Sequence, residues 1–293
     1  MISFIAVVGF NCMTVYLTVI FLAKMNFIET LNRSILSHNS HLCVGLDIDS
    51  DRIRSKSDMD VSELVDYSRK VVDATREYAA AYKPNMAFFE RWGSTGLGWL
   101  EEIIEYIGDE HFLICDGKRG DIGNTARQYA KSIFGHFGFD AATVSPYMGS
   151  DAIGPFLEDT EKGAFVLCLT SNNSAEELQL QENGGTPLYE NVIEMCLRLN
   201  SNGNCGLVVG ATQESELSTI RQKSGDMPIL IPGIGAQGGD LETSVRIGNS
   251  NGIALINVSR SILYAGDQSS KAITAVAREY NDRINENLES SSG

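Results

Sequence analysis

Short apolar runs alternate with longer amphipathic segments along most of the chain. Eight runs stand out: Leu42–Leu46, Ala79–Lys83, Phe112–Cys115, Ala141–Val144, Ala164–Leu169, Gly206–Val209, Pro228–Ile231 and Gly252–Val258. They are rich in Val, Ile and Leu and do not alternate strictly with polar residues, as parallel strands covered on both faces do not. The intervening segments carry apolar residues at helical spacing. Asp60-Val61-Ser62-Glu63 reads as a capping box, and Val61, Leu64, Val65, Val71 and Val72 follow on one stripe. Leu97, Leu100, Ile103, Ile104 and Ile107 form a second stripe, and Leu188, Val192, Cys196 and Leu199 a third. Phe27, Ile28, Leu31 and Ile35 lie on one face of a first helix, and residues 126–137 repeat Tyr129, Ile133 and Phe134 at the same spacing. Core packing accounts for all of these stripes. Strands and helices alternating in this number predict an α/β fold, a single-domain (β/α)8 TIM barrel over residues 25–285.

The two ends depart from the pattern. Met1 to Ala23 holds no charged residue and is long enough to span a bilayer. It lacks the basic start and cleavage site of a signal peptide. Because Met25 opens an ordinary amphipathic helix, residues 1–24 are expected to be a gene-start artefact or a dispensable extension, with a membrane segment as the alternative. The polar stretch from Asn285 is expected to fray, leaving 286–293 as a flexible tail. A cytoplasmic location follows from these expectations.

Composition narrows the partners. The chain has 293 residues, 43% of them apolar, and a formal net charge of −15. That charge argues against nucleic acid, which is held by lysines and arginines neutralising phosphates. It leaves room for a small anionic substrate, because a few cations in a cleft dominate the local field. Cys12, Cys43, Cys115, Cys168, Cys196 and Cys205 form no CxxC pair and no metal spacing with His38, His41, His111 or His136. They read as buried apolar residues in a reducing compartment, and no metal site is expected among them.

A barrel of this kind carries its chemistry at the C-terminal ends of its strands. Strand three runs into Asp116-Gly117-Lys118-Arg119-Gly120-Asp121. Asp116 and Lys118 are two apart and point the same way if the strand continues through them. Asp121 follows a glycine that permits a turn. Two carboxylates around one ammonium keep it charged. Lys83 ends strand two and either snorkels at a strand edge or joins a network Lys83–Asp116–Lys118–Asp121. Asp47 after strand one either caps a turn or accepts hydrogen bonds from sugar hydroxyls. Ser171 after strand five either caps a helix or meets a pyrimidine edge. After strand seven, Gly233, Gly235, Gly238 and Gly239 free backbone amides, Gln237 adds an amide donor, and a helix is expected to start near Asp240. Arg260 after strand eight adds a planar fork suited to phosphate oxygens, so these last two rims read as a phosphate site.

The string Asp116-x-Lys118-Arg119-Gly120-Asp121-Ile122-Gly123-x-Thr125-Ala126 resembles the active-site signature of the orotidine 5′-phosphate decarboxylase family, in its Lys-Arg-Gly-Asp bacterial and archaeal version. Val44-Gly45-Leu46-Asp47, Tyr82-Lys83-Pro84-Asn85, Leu169-Thr170-Ser171-Asn172, Gly210-Ala211-Thr212, the loop from Pro232 to Asp240 and Ser259-Arg260 are similar to that family's other blocks, in the same order. The resemblance implies cofactor-free decarboxylation of orotidine 5′-monophosphate to UMP. Lys118 would stabilise and protonate the carbanion at C6, and Asp116 would hold Lys118 near the departing carboxylate. Asp121 would complete the network across a homodimer interface, with Thr125 touching ribose. Asp47 and Lys83 would bind ribose hydroxyls, and Ser171 the pyrimidine. Gln237 and Arg260 would hold the phosphate, with Pro232 and Gly238 also on the substrate.

The shorter pattern Asp-x-Lys-x-x-Asp is shared with metal-dependent sugar-phosphate decarboxylases and synthases of similar barrels, which stay open as an alternative. A Schiff-base aldolase is disfavoured by the carboxylates, which suppress the neutral amine it needs. A non-enzymatic nucleotide-binding barrel, tethered by the leader, is a third alternative.

Overall fold

The computed structural model describes residues 24–53, 59–211, 214–235 and 239–290. Its centre is a closed barrel of parallel strands: β1 Leu42–Leu46, β2 Ala81–Pro84, β3 Phe112–Arg119, β4 Ala141–Val144, β5 Gly163–Leu169, β6 Cys205–Val209, β7 Ile229–Pro232 and β8 Ala254–Val258. The strands neighbour one another in chain order, and β8 closes on β1 through Leu42 opposite Ile256 and Val44 opposite Val258. The (β/α)8 architecture predicted from the alternation is the one observed. Strand limits move by a residue or two, except in β3, which runs past its apolar stretch to Arg119.

Side chains alternate across each strand. Leu42, Val44 and Leu46 of β1 pack outward against the helices, as do Ala254, Ile256 and Val258 of β8. The inward set is a separate apolar layer of Cys43, Ala81, Phe112, Ile114, Ala141, Phe165, Val208, Leu230 and Leu255. The helix Phe27–His38 closes this layer from the side of the strand starts, joining it through Phe27, Leu31 and Ile35. Phe27 meets Phe112 and Phe165 edge-on, with ring centroids 5.5 and 6.1 Å apart. Burying that one ring stabilises the fold by about 2–3 kcal/mol. Above the apolar layer, the next inward position of several strands is occupied by a polar or charged residue, and there the barrel opens.

Three local features differ from the sequence prediction. The helix after β3 begins at Gly123, is α-helical to Ala130, and widens into an i→i+5 turn over Lys131–His136. A small hairpin pairs Glu182–Asn183 with Thr186–Pro187 in the connection after β5. The last helix, Ser270–Ser290, continues through residues 286–290, where a flexible tail was expected. Asn285 donates to the Asn39 carbonyl at 2.9 Å and Leu288 packs on the core, which ties those turns down. The expectation for residues 1–23 lies outside the described residues. Among the described residues no helix is long and apolar enough to cross a membrane. The five described cysteines are free and buried, and burial pushes the Cys43 and Cys115 thiols up to about 12.

Candidate active site

The strand ends surround a cavity of about 330 Å3, a size suited to a small-molecule ligand. Asp47, Lys83, Asp116, Lys118, Ser171, Pro232 and Arg260 all line it. Seven residues singled out from sequence thus converge from six strand ends. Asp121 and Thr125 do not line this cavity: they lie at the turn after β3 and in the first turn of the helix Gly123–Ala130. The Asp121 carboxylate accepts from the Ile122 backbone amide at 2.7 Å. Asp121 therefore stands outside the expected network within one chain. Gln237 and Gly238 lie outside the described residues.

Asp116 is the centre of the charge arrangement. Lys83 Nζ lies 2.6 Å from one of its oxygens and Lys118 Nζ 2.5 Å from the other. Asp116 and Lys83 are buried, while the Lys118 side chain is about half exposed and reaches into the opening. Burial opposes the ionised carboxylate, but the ammoniums of Lys83 and Lys118 overturn that and hold its pKa well below the usual range. Burial likewise opposes the Lys83 ammonium, and Asp116 and Asp47 more than restore it, raising its pKa above that of an exposed lysine. Asp116 and Lys83 are therefore a buried, ionised pair across neutral pH, and the Lys118 ammonium sits on the second carboxylate oxygen.

The local backbone explains how Asp116 and Lys118 meet. Cys115 pairs with Ala142 and Arg119 with Val144, so residues 116–118 of β3 lie opposite Thr143 alone. This bulge puts Lys118 in the left-handed region, at φ 44°. The sequence placed both side chains on one face by strand periodicity; the structure does so through a bulge.

The other walls are shaped by small residues and turns. Ser171 packs against Gly210, where any added Cβ would collide with the serine hydroxyl and backbone. Tyr264 donates to the Asp47 carbonyl at 3.0 Å and accepts from the Asp49 amide at 2.7 Å, fixing the turn after β1. Gly233 and Gly235 adopt φ of 104° and 77° in the turn after β7, and Arg260 opens the short helix Arg260–Leu263 directly after β8. One expectation needs correction here. The helix Leu241–Gly248 does follow Asp240, but the Asp240 carboxylate accepts from the amides of Glu242 and Thr243 itself. That helix end is capped from within, so it does not add the free amides that the expected phosphate site assigned to it.

Thr143 and Asn257 also line the cavity and were missed by the sequence prediction, while Asn85, Thr170, Asn172 and Ser259 line it from within the strings already quoted, where they carried no role of their own. Among the described residues, buried atoms of Asp47 (Oδ1), Asn257 (Oδ1) and Ser259 (Oγ) have no hydrogen-bond partner. Buried polar atoms are normally paired, so these define polar capacity directed at a ligand. A signal for the two missed residues existed. Thr143 and Asn257 follow the inward residues Ala141 and Leu255 by two, the strand period.

A family model described as "Orotidine 5'-phosphate decarboxylase / HUMPS family" matches residues 40–275. A Herpetosiphon aurantiacus protein named orotidine 5′-phosphate decarboxylase is 43% identical over 251 residues, covering 85% of this chain and 93% of its own length. A Roseiflexus castenholzii protein of the same name is 44% identical over 267 residues, covering 89% and 98%. A solved structure of Leishmania donovani OMP decarboxylase superposes with a TM-score of 0.79 at 40% identity, over 90% of this chain and 99% of that one. The matched span contains every strand of the barrel and all seven residues that converge on its mouth, and on that ground the chain belongs to the orotidine 5′-phosphate decarboxylase / HUMPS family.

Proposed function

We propose that the chain removes the C6 carboxylate of orotidine 5′-monophosphate, giving UMP and CO2 in pyrimidine biosynthesis. The observation that carries this reading is the Lys83–Asp116–Lys118 chain of ion pairs beside a cavity that also holds Ser171, Pro232 and Arg260. The C6–carboxylate bond breaks, CO2 leaves, and the electron pair remains on C6. Lys118 stabilises that charge as it develops and then gives a proton from Nζ to C6, recovering one from solvent. A charge fixed in advance favours the transition state over the bound substrate, which lowers the barrier and not merely KM. Asp116 holds Lys118 in place near the departing carboxylate. Lys83 and Asp47 bind ribose hydroxyls, Ser171 meets the pyrimidine, and Arg260 binds the phosphate with Pro232, Gln237 and Gly238 around it. Phosphate binding far from C6 helps to position the reacting end.

Asp121 and Thr125 act at the cavity of a second copy in a homodimer; their place outside this chain's own cavity agrees with that role. The enzyme works in the cytoplasm. A metal-dependent sugar-phosphate reaction is the weaker reading, because both oxygens of Asp116 face ammonium groups that would repel a cation.

The test is the loss of orotidine 5′-monophosphate ultraviolet absorbance in buffer containing EDTA. The unmodified chain is expected to turn over, and Lys118→Ala to lower kcat by about a thousandfold or more. Near-normal turnover in that variant refutes the role of Lys118. Turnover that appears only with a divalent metal supports the sugar-phosphate reading instead.

A further inference from the structure

We infer that Thr143 is a positioning residue for the decarboxylation. It holds the bulge that aims Lys118 and orients the carboxylate that holds the Lys118 ammonium. The inference rests on the reading of Lys118 as proton donor.

Thr143 is the inward residue of β4 that faces residues 116–118 across the bulge, and it is 1% exposed. Its hydroxyl serves both ends of that segment. Oγ1 donates to Asp116 Oδ1 at 3.1 Å and accepts from the Lys118 backbone amide at 3.0 Å. Asp116 Oδ1 is the same oxygen that meets Lys118 Nζ. One hydroxyl therefore closes a ring through the Lys118 main chain, the Lys118 side chain and the Asp116 carboxylate.

The backbone explains why the ring is needed. A left-handed conformation is unfavourable for a lysine and persists only where the surroundings enforce it. Outside the bulge, ordinary ladder pairing of β3 with β4 stops at Cys115 and resumes at Arg119. Between those points Thr143 supplies the hydrogen bond that the ladder does not. Asp116 in turn has its second oxygen drawn to Lys83, and the Thr143 proton keeps the first one turned toward Lys118. With its donor committed to Asp116, the hydroxyl is spent on the protein and not on the substrate.

Thr143→Val keeps the shape and removes the hydroxyl. The expected result is a fall in kcat of about tenfold to a hundredfold, the scale of a misplaced reacting group, with KM for orotidine 5′-monophosphate and affinity for UMP within about threefold of the original. Thr143→Ser, which keeps the hydroxyl, is expected to restore kcat to within about threefold. An unchanged kcat in Thr143→Val, with or without a lower melting temperature, overturns the inference. So does a higher KM at constant kcat, which would make Thr143 a substrate contact. If Thr143→Val does not fold, Thr143→Ala is compared with Thr143→Ser: serine about tenfold faster supports the inference, and equal rates overturn it. Absence of turnover by the unmodified chain would sink the reading of the whole site instead, and shows itself before any variant is compared.

Discussion

At the scale of single residues, Asp116 is the group whose loss should be felt most sharply after Lys118. It is one buried carboxylate between two ammoniums. Asp116→Asn would leave those like charges facing one another with a neutral amide between them, and nothing would hold Lys118 Nζ at the opening. The expected outcome is a loss in kcat of about a hundredfold or more, with Lys118 still present. Steady-state kinetics check this, and a kcat within about threefold of the original would mean that Asp116 is structural only. The residues that were readable in the sequence share one property: they are charged, or they sit in strings of unusual composition. Asp116, Lys118, Lys83 and Arg260 announce themselves at the ends of apolar runs. Thr143 and Asn257 do not, because a single uncharged polar residue in a strand is equally well explained by a hydrogen bond to the backbone. Only the closed barrel, which turns the inward positions of neighbouring strands into one surface, gives them their meaning. Asp121 and Thr125 mark the opposite limit, since their place in the family pattern was plain while their own chain keeps them outside its cavity.

Elements were more readable than residues, because strand and helix periods are set by local sterics. β1 and β4 have the predicted limits, and most others shift by one or two residues. The exception, β3, continues for four residues beyond its apolar run, because its pairing with β4 is carried on through a bulge that no hydrophobic pattern encodes. The helix Phe27–His38 was also visible from its stripe, but its role was not. Its apolar face closes the barrel against the starts of β3 and β5, through Phe27 on Phe112 and Phe165. A plug of this kind should stabilise the barrel without touching the chemistry at the other end. Phe27→Ala is therefore expected to cost about 3–5 kcal/mol, the range for emptying a buried phenylalanine site. Denaturant melts give the stability and initial rates give the activity. Unaltered stability would show that the helix merely rests on the barrel, and a collapse of kcat in still-folded protein would show coupling between its two ends.

For the whole molecule, charge is distributed against its average. The chain is strongly acidic, yet Lys83, Lys118 and Arg260 gather around one cavity, which suits an anionic ligand. The same contrast between local and global electrostatics governs stability toward acid, and His111 is where it can be measured. Its Nε2 donates to the Arg76 carbonyl at 3.0 Å, its ring stacks on His38 at 4.2 Å, and its buried Nδ1 has no partner among the described residues. Burial pushes its pKa down to about 4 from an ordinary 6.5; the hydrogen bond to the Arg76 carbonyl and the charge of Glu110 oppose this, while the charges of His38 and of the Arg76 guanidinium push the same way as burial. The unfolded chain then binds a proton at a pH where the folded chain does not, so acid favours unfolding. The neutral imidazole costs nothing above 6.5, and stability falls as pH drops from there toward 4. At pH 5 this single site is worth on the order of 2 kcal/mol, and the lowered pKa of His41 adds to the same trend. Asp116 does not confuse the window, because its depressed pKa matters only below the ordinary carboxylate range. Urea midpoints at pH 7.5 and 5.0 should therefore show a loss for the original chain that is smaller by that amount in His111→Gln, which cannot titrate. Equal losses in both chains would remove His111 as the source, and a midpoint independent of pH would show that the ring is protonated with little cost inside the fold.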